Sequence, residues 1–394
     1  MIPFSEALRL MLVSARPADS ERIRLEDAAG RVLRDPVATD RPFPPFDRVM
    51  MDGYALRSRD LLLESGDLQI SGTAAAGYAP PPLSPLPGSC IEVMTGAPLP
   101  AGADCVVPVE ETTCCGPGTI RLDGNARIAP GRNIHAAGSD ARAGETIVSA
   151  GIRMGSRQIG AAASCGAGWL TVSRLPRIAV FATGDELAAV NAIPHPYQIR
   201  QSNAHALCAA LQRAGYPAAE SDTLPDDPAA AGSRIEAALA DCDWLVLTGA
   251  VSMGGRDFVP EALGRMGCSR LFHGVAQRPG KPVGCWMAPS GAMIAALPGN
   301  PVSALTCLHA LVLPALARAS GLTNPPPPMV RLATPVRRLA DFTHHLPVTL
   351  ADGAARPAPT GNSGDFTGLL RSDGFLTLPP DPPSADAFPF TPWI

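Results

Sequence analysis

The 394-residue chain is 46% hydrophobic, 17% charged and 5% aromatic, with a formal net charge of -4. That length suits roughly two to four folded domains, and the acidic balance with few aromatics excludes a cationic, base-stacking nucleic-acid surface. No apolar run reads as a membrane span, Met1 to Glu6 lacks the start of a secretory leader, and the ten scattered cysteines read as reduced cytosolic thiols.

Phe4 to Val13 has the periodicity of an amphipathic helix, and Leu25 to Val32 reads as a second one ending near Arg34-Asp35-Pro36. From Pro42 to about Ile147, Pro and Gly recur between short apolar runs, which predicts a small β-rich domain. Gly155 to Ala167 returns to a helical pattern. Arg177 to Ala182 predicts a buried strand that ends in Thr183-Gly184-Asp185-Glu186. Ser202 is the expected N-cap of a helix running through Leu207 and Leu211 to a stop at Gly215. Pro228 to Ala240 reads as a helix, and Asp243 to Leu247 as a strand ending in Thr248-Gly249-Ala250-Val251-Ser252. A third strand ends in Leu297-Pro298-Gly299-Asn300-Pro301, before a helix from about Val302 to Ala319. Such alternation predicts a doubly wound α/β module with a parallel sheet and helices on both faces. Pro325 to Pro328 form a stiff linker, and runs such as Phe375 to Leu378 predict a small all-β tail.

In such a sheet ligands bind outside the carboxyl ends of the strands. The turns Thr183 to Glu186, Thr248 to Asp257 and Leu297 to Ser303 are expected to open on one crevice, with Asp226-Asp227 as a fourth contributor. Carboxylates (Asp185, Glu186, Asp257) beside hydroxyls (Thr183, Ser252, Ser303) suit a partly hydrated Mg²⁺ bridging to phosphate oxygens. Glycines let backbone N–H groups approach phosphate, and a helix starting after Pro301 would aim its positive end at an anion. Lys281 is the single lysine among 32 basic residues and sits in Arg278-Pro279-Gly280-Lys281-Pro282. A lysine is a compact point charge where arginine is a planar fork. The sum is a site for a phosphorylated ligand plus a second anion. Each turn taken alone is also an ordinary structural turn. Gly249 to Gly255 matches neither a P-loop nor a dinucleotide fingerprint. The seven histidines lack zinc spacing, and His344-His345 reads as surface.

Several segments occur in a specific order. They are Met51-Asp52-Gly53-Tyr54-Ala55, Met94-Thr95-Gly96-Ala97-Pro98-Leu99-Pro100, Thr183-Gly184-Asp185-Glu186-Leu187 and Gln201-Ser202-Asn203. Thr248 to Gly254, Pro279-Gly280-Lys281-Pro282 and Leu297 to Ser303 follow. The ordered set resembles the molybdopterin molybdenumtransferase family, the MoeA and gephyrin E-domain group, over nearly the whole chain. The resemblance implies a multidomain α/β plus β subunit that forms a homodimer. Its expected parts are a linking domain (1–41 with 142–175), a β-rich domain reaching across the dimer (42–141), a molybdopterin-binding α/β domain (176–324) and a C-terminal β-barrel domain (329–394). It implies insertion of molybdate into adenylylated molybdopterin with Mg²⁺, releasing AMP and molybdenum cofactor, in the cytoplasm. Implied partners are molybdopterin adenylyltransferase and molybdoenzyme chaperones.

By the same resemblance Asp52, Asp140, Glu186, Asp226 and Asp257 match acidic site positions, with Glu186, Asp226 and Asp257 as metal ligands. Thr95, Thr183, Gly184, Ser252, Arg278, Lys281, Pro298, Pro301 and Ser303 match substrate-binding positions. The chain departs from the family pattern at Ala250 for glycine, Gly255 for an acidic residue, Arg278 for lysine and Arg48-Val49 for a serine. Phe342 to His345 fall where an arginine is often found. A binding-only relative of the family and a tungstate-inserting one are the competing readings.

Overall fold

The computed structural model describes all residues except 63–65, 250–257, 324, 337–338, 359–361, 363 and 381–385. Two compact units arise from the chain: residues 1–34, 151–155 and 169–394 form the first, and 35–150 with 156–168 the second.

The first unit is built on a six-stranded sheet. Its order is Ala218–Leu224, Ile178–Thr183, Trp244–Thr248, Met293–Leu297, Gly284–Met287, Ser269–His273. The first four strands run parallel, and the last two are antiparallel additions. Strand alternation sorts the core into two faces. Ile178, Val180 and Ala182 pack with Leu207, Leu211 and Leu311 on one side, together with Met11 of the N-terminal helix. Ala179 and Phe181 pack with Ile235 and Leu263 on the other. The parallel strands therefore bury both faces and read as continuous apolar runs.

Most expected elements form within a residue or two. The N-terminal helix is Phe4–Ser14, and Asn203–Arg213, Pro228–Leu239 and Ser156–Ser164 are helical. Some expectations fail. Leu25 to Val32 is only a 3₁₀ turn, Leu25–Asp27. Gly30 takes φ +79° and its N–H bonds Met154 O, so the chain turns before a second helical turn can form. Ser202 stands at the N-cap position, as expected, but makes no side-chain cap bond. The helix Pro301–Ala319 is long and apolar enough to cross a membrane, against the sequence expectation, but it is mostly buried in the core of this unit.

Strand Val275–Arg278 leaves the α/β sheet and joins a different one. It pairs in parallel with Ile2–Pro3 on one side and with Thr343–Ala351 on the other, matching Gln277 to Thr343 and Arg278 to His344. Thr343–Ala351 belongs to a closed five-strand barrel with Ala354–Pro357, Met329–Leu332, Ala387–Pro392 and Gly374–Leu378. Val348, Ala355, Leu376, Leu378, Phe388 and Phe390 fill it. The loop that carries Lys281 is thus hung between the α/β sheet and the barrel.

The second unit contains the expected β-rich domain. Its sheet runs Cys105–Pro108, Gly53–Leu56, Ser89–Val93, Leu68–Ala74, Thr119–Leu122, Thr112–Gly116. A Cβ at Gly53 would lie 2.0 Å from Val107 O, so the Asp-Gly step is a packing requirement between adjacent strands.

Candidate functional site

Three strand-end turns of the first unit meet with almost no side chain between them. A Cβ on Gly299 would lie 3.3 Å from Gly249 Cα, and one on Gly249 would lie 2.3 Å from Thr183 O. Asn203, at the start of its helix, ties them together: its Nδ2 donates to Thr248 Oγ1 (3.1 Å) and to Gly299 O (2.7 Å). Thr248 Oγ1 in turn donates to Pro298 O at 3.0 Å. Sequence reasoning placed Asn203 in a motif without a role; its contact partners lie 45 and 96 residues away.

On one side of this junction lie the acidic turns. Thr183 is 3% exposed, while Asp185, Glu186 and Asp226 are exposed. Asp185 Oδ1 accepts from Asp226 N at 3.0 Å, which clasps the ends of the first two strands. The Glu186 carboxylate folds over Gly184, where a Cβ would stand 2.6 Å from Oε2. Asp227 has a different job. It caps helix Pro228–Leu239 by accepting from Ala229 N (2.8 Å) and Ala230 N (3.1 Å), and these bonds hold its carboxyl below the usual range. Ser252, Asp257, Ala250 and Gly255 lie outside the described residues. Glu186 and Asp226 offer exposed, hard oxygen donors, which fit Mg²⁺, an ion that keeps several waters and needs few carboxylates. Among the described residues no three His, Cys, Asp or Glu side chains form a metal-sized cluster.

On the other side is a cleft of 690 Å³. Arg278, Lys281, Pro298 and Ser303 line one wall, and Phe342, His344 and Asn362 line the other. Pro301 opens the helix one residue past the lining Asn300. Arg278 and Lys281 are exposed to the cleft, whereas Ser303 is buried. His344-His345 is not surface. His345 is fully buried with its pKa pushed down to about 3, first by burial and then by His344. Burial, then the neighbouring Arg278, lowers His344 as well, and its Nδ1 has no hydrogen-bond partner among the described residues. The strand alternation that carries His344 to the cleft turns His345 inward, where Phe4 and Phe375 pack edge-on against its ring.

The remaining candidates belong to the second unit. Asp52 Oδ1 accepts from Thr95 N (2.6 Å) and Thr95 Oγ1 (2.7 Å), and these bonds lower its pKa. Asp140 Oδ1 pairs with His135 Nε2 at 2.7 Å, which lowers its pKa in turn. His135 Nδ1 accepts from Arg48 at 3.1 Å, so the neutral ring carries its proton on Nε2, toward Asp140.

Three family descriptions match the chain in succession. "MoeA N-terminal region (domain I and II)" covers residues 2–166, "Probable molybdopterin binding domain" covers 179–318, and "MoeA C-terminal region (domain IV)" covers 329–387. A molybdopterin molybdenumtransferase of Synechocystis is 35% identical over 380 residues, 94% of either chain. Molybdopterin molybdenumtransferase 2 of Mycobacterium tuberculosis is 34% identical over 80% of this chain and 78% of its own. A crystal structure of the molybdopterin biosynthesis MoeA protein from Pyrococcus horikoshii OT3 superposes with a TM-score of 0.81 at 26% identity, covering 99% of this chain and 98% of that one. With its ordered motifs, its α/β module and its C-terminal barrel, this chain belongs to the molybdopterin molybdenumtransferase family and is an enzyme of molybdenum cofactor biosynthesis.

Proposed function

We propose that this enzyme inserts molybdate into adenylylated molybdopterin, cleaving the phosphoanhydride and releasing AMP and molybdenum cofactor. One observation carries the reading: the turn Leu297 to Ser303 touches the acidic strand-end junction at Gly249 and also lines the Arg278–Lys281 cleft. A phosphoanhydride and an oxyanion can therefore be held side by side. Glu186 and Asp226, with Asp257, would hold Mg²⁺, which supplies positive charge to the leaving phosphate. Arg278 and Lys281 attract the oxyanion, and Pro298, Pro301 and Ser303 shape its seat. Thr183, Gly184 and Ser252 bring backbone and hydroxyl groups to the pterin phosphate. Asp52, Thr95 and Asp140 complete the set.

The reading includes the four-part division of the chain set out above, a cytoplasmic location that suits its ten free thiols, and a homodimer in which Asp52 serves the partner subunit's site. If so, mixing Asp52→Ala and Asp226→Ala subunits should restore about a quarter of wild-type turnover, since half of a randomly paired two-fold dimer population regains one intact site. No recovery would place both residues in one subunit's site.

The direct test follows AMP by chromatography with purified protein, adenylylated molybdopterin, Mg²⁺ and molybdate. AMP release that needs both ions supports the reading. Pterin binding without AMP under molybdate and tungstate alike would overturn it, and release with tungstate alone would reassign the oxyanion.

A further inference from the structure

Behind the Arg278–Lys281 loop runs a buried chain of hydrogen bonds that joins it to the barrel. Gln277 is 0% exposed, and its Nε2 donates to Gly280 O at 3.1 Å and to Cys307 Sγ at 3.2 Å. An amide nitrogen engaged this way leaves Gln277 Oε1 as an acceptor. The group facing it is His345 Nε2, at 3.4 Å. His345 must therefore carry its proton on Nε2, which makes Nδ1 the acceptor for Thr377 Oγ1 at 3.2 Å. Each link settles the direction of the next, from Thr377 through His345 and Gln277 to the carbonyl of Gly280.

Gly280 has no slack. It sits at φ +93°, and a Cβ there would lie 2.3 Å from Cys307 Sγ and 2.8 Å from Gln277 Nε2. Val275 N donates to Lys281 O (2.9 Å) and Val283 N to Gly280 O (3.2 Å), so the loop is pinned at both ends. The barrel end of the chain is equally confined, with His345 wedged between Phe4 and Phe375. A shift of the barrel strand would be passed to the backbone between Arg278 and Lys281, because buried polar groups resist losing their partners.

We propose that Gln277 and His345 are positioning residues that hold the Arg278–Lys281 loop at the spacing an oxyanion requires, referencing it to the C-terminal barrel. The inference rests on the reading that this loop receives the oxyanion. Both residues border the inner end of the cleft, yet both are 0% exposed, so they act through Gly280 rather than as ligands.

The test uses the full-length enzyme and five variants: Gln277→Met, His345→Phe, their double variant, His345→Gln and Lys281→Met. Molybdate KM, kcat, molybdate and tungstate binding by calorimetry, and Tm are measured for each. Gln277→Met and His345→Phe should each raise molybdate KM about tenfold, the scale of one lost buried hydrogen bond, with kcat within about twofold. Their double variant should be no worse than either alone, because both break the same chain. His345→Gln, which keeps a donor for Gln277, should recover most of the affinity, a recovery that a purely structural role does not predict. Unchanged molybdate KM in Gln277→Met and His345→Phe, with Lys281→Met strongly impaired, would overturn the positioning role alone. Unchanged oxyanion binding in Lys281→Met would overturn the loop's assignment, and the positioning role with it. If His345→Phe does not fold, Gln277→Met against His345→Gln decides the matter.

Discussion

Gly249 occupies φ +106° with Thr183 O within 2.3 Å of where its Cβ would stand. Gly249→Ala must push the ends of two parallel strands apart. It should cost about 2–3 kcal/mol in urea denaturation and reduce turnover severely; native stability would show that the strand ends can yield. Asp226 and Asp227 are adjacent acidic residues with separate work. Asp227→Ala removes a helix cap and should lower Tm while leaving turnover near normal. Asp226→Asn should leave Tm near normal and raise the Mg²⁺ concentration needed for half-maximal AMP release. The reverse pattern would exchange their roles. Lys281→Arg should raise molybdate KM despite the kept charge, since the guanidinium fork is wider than an ammonium; wild-type kinetics would make the single lysine incidental. Lys281 and the glycine-rich turns were legible because their chemistry is local. Residue chemistry alone left Asp226 and Asp227 together; the family resemblance singled out Asp226, and the structure adds the reason Asp227 stands apart, its bonds to backbone N–H groups.

Periodicity served well for elements that bury a face in one sheet. Ile178–Thr183, Trp244–Thr248 and Met293–Leu297 were all marked by apolar runs, because their two faces are both covered. It failed where one residue overruled the pattern, as Gly30 does after Leu25–Asp27. It also missed that Val275–Arg278 departs to another sheet, since an apolar strand does not record its partner. The helix starting at Asn203 shows the same limit. Ser202 looked like its cap, yet Asn203 does the fastening by bonding two strand ends. Asn203→Ala should cost about 1–2 kcal/mol and loosen the junction, visible as faster hydrogen exchange at Thr248 and Gly299. Protection equal to wild type would mean the glycine packing alone holds the turns.

At the scale of the molecule, two buried histidines and a half-buried third make acid a threat to the fold. Burial lowers the pKa of His309, His344 and His345, the last to about 3. The unfolded chain binds these protons near the ordinary histidine pKa of about 6.5, so it gains protons that the native state refuses. Stability is therefore full above that pKa and falls as pH drops below it. For His345 alone the slope approaches about 1.4 kcal/mol per pH unit, continuing down toward its native pKa. Urea titrations at pH 7 and pH 5 should show the loss, with a shallower dependence in His345→Phe. Equal stability at both pH values would mean that the histidines are reached by protons in the native state.

By itself the sequence determined the alternating α/β core, the β-rich segment, the acidic strand-end turns and the family, because these depend on local periodicity, turn chemistry and ordered motifs. Only the tertiary structure decided that Asn203 bolts the turns together and that His345 turns inward. It alone brought Gln277 and His345, 68 residues apart, into one hydrogen-bond chain behind the Lys281 loop. The physical reason is pairing: a residue's type records what it can bond, while its partner is chosen by which strands the fold lays side by side.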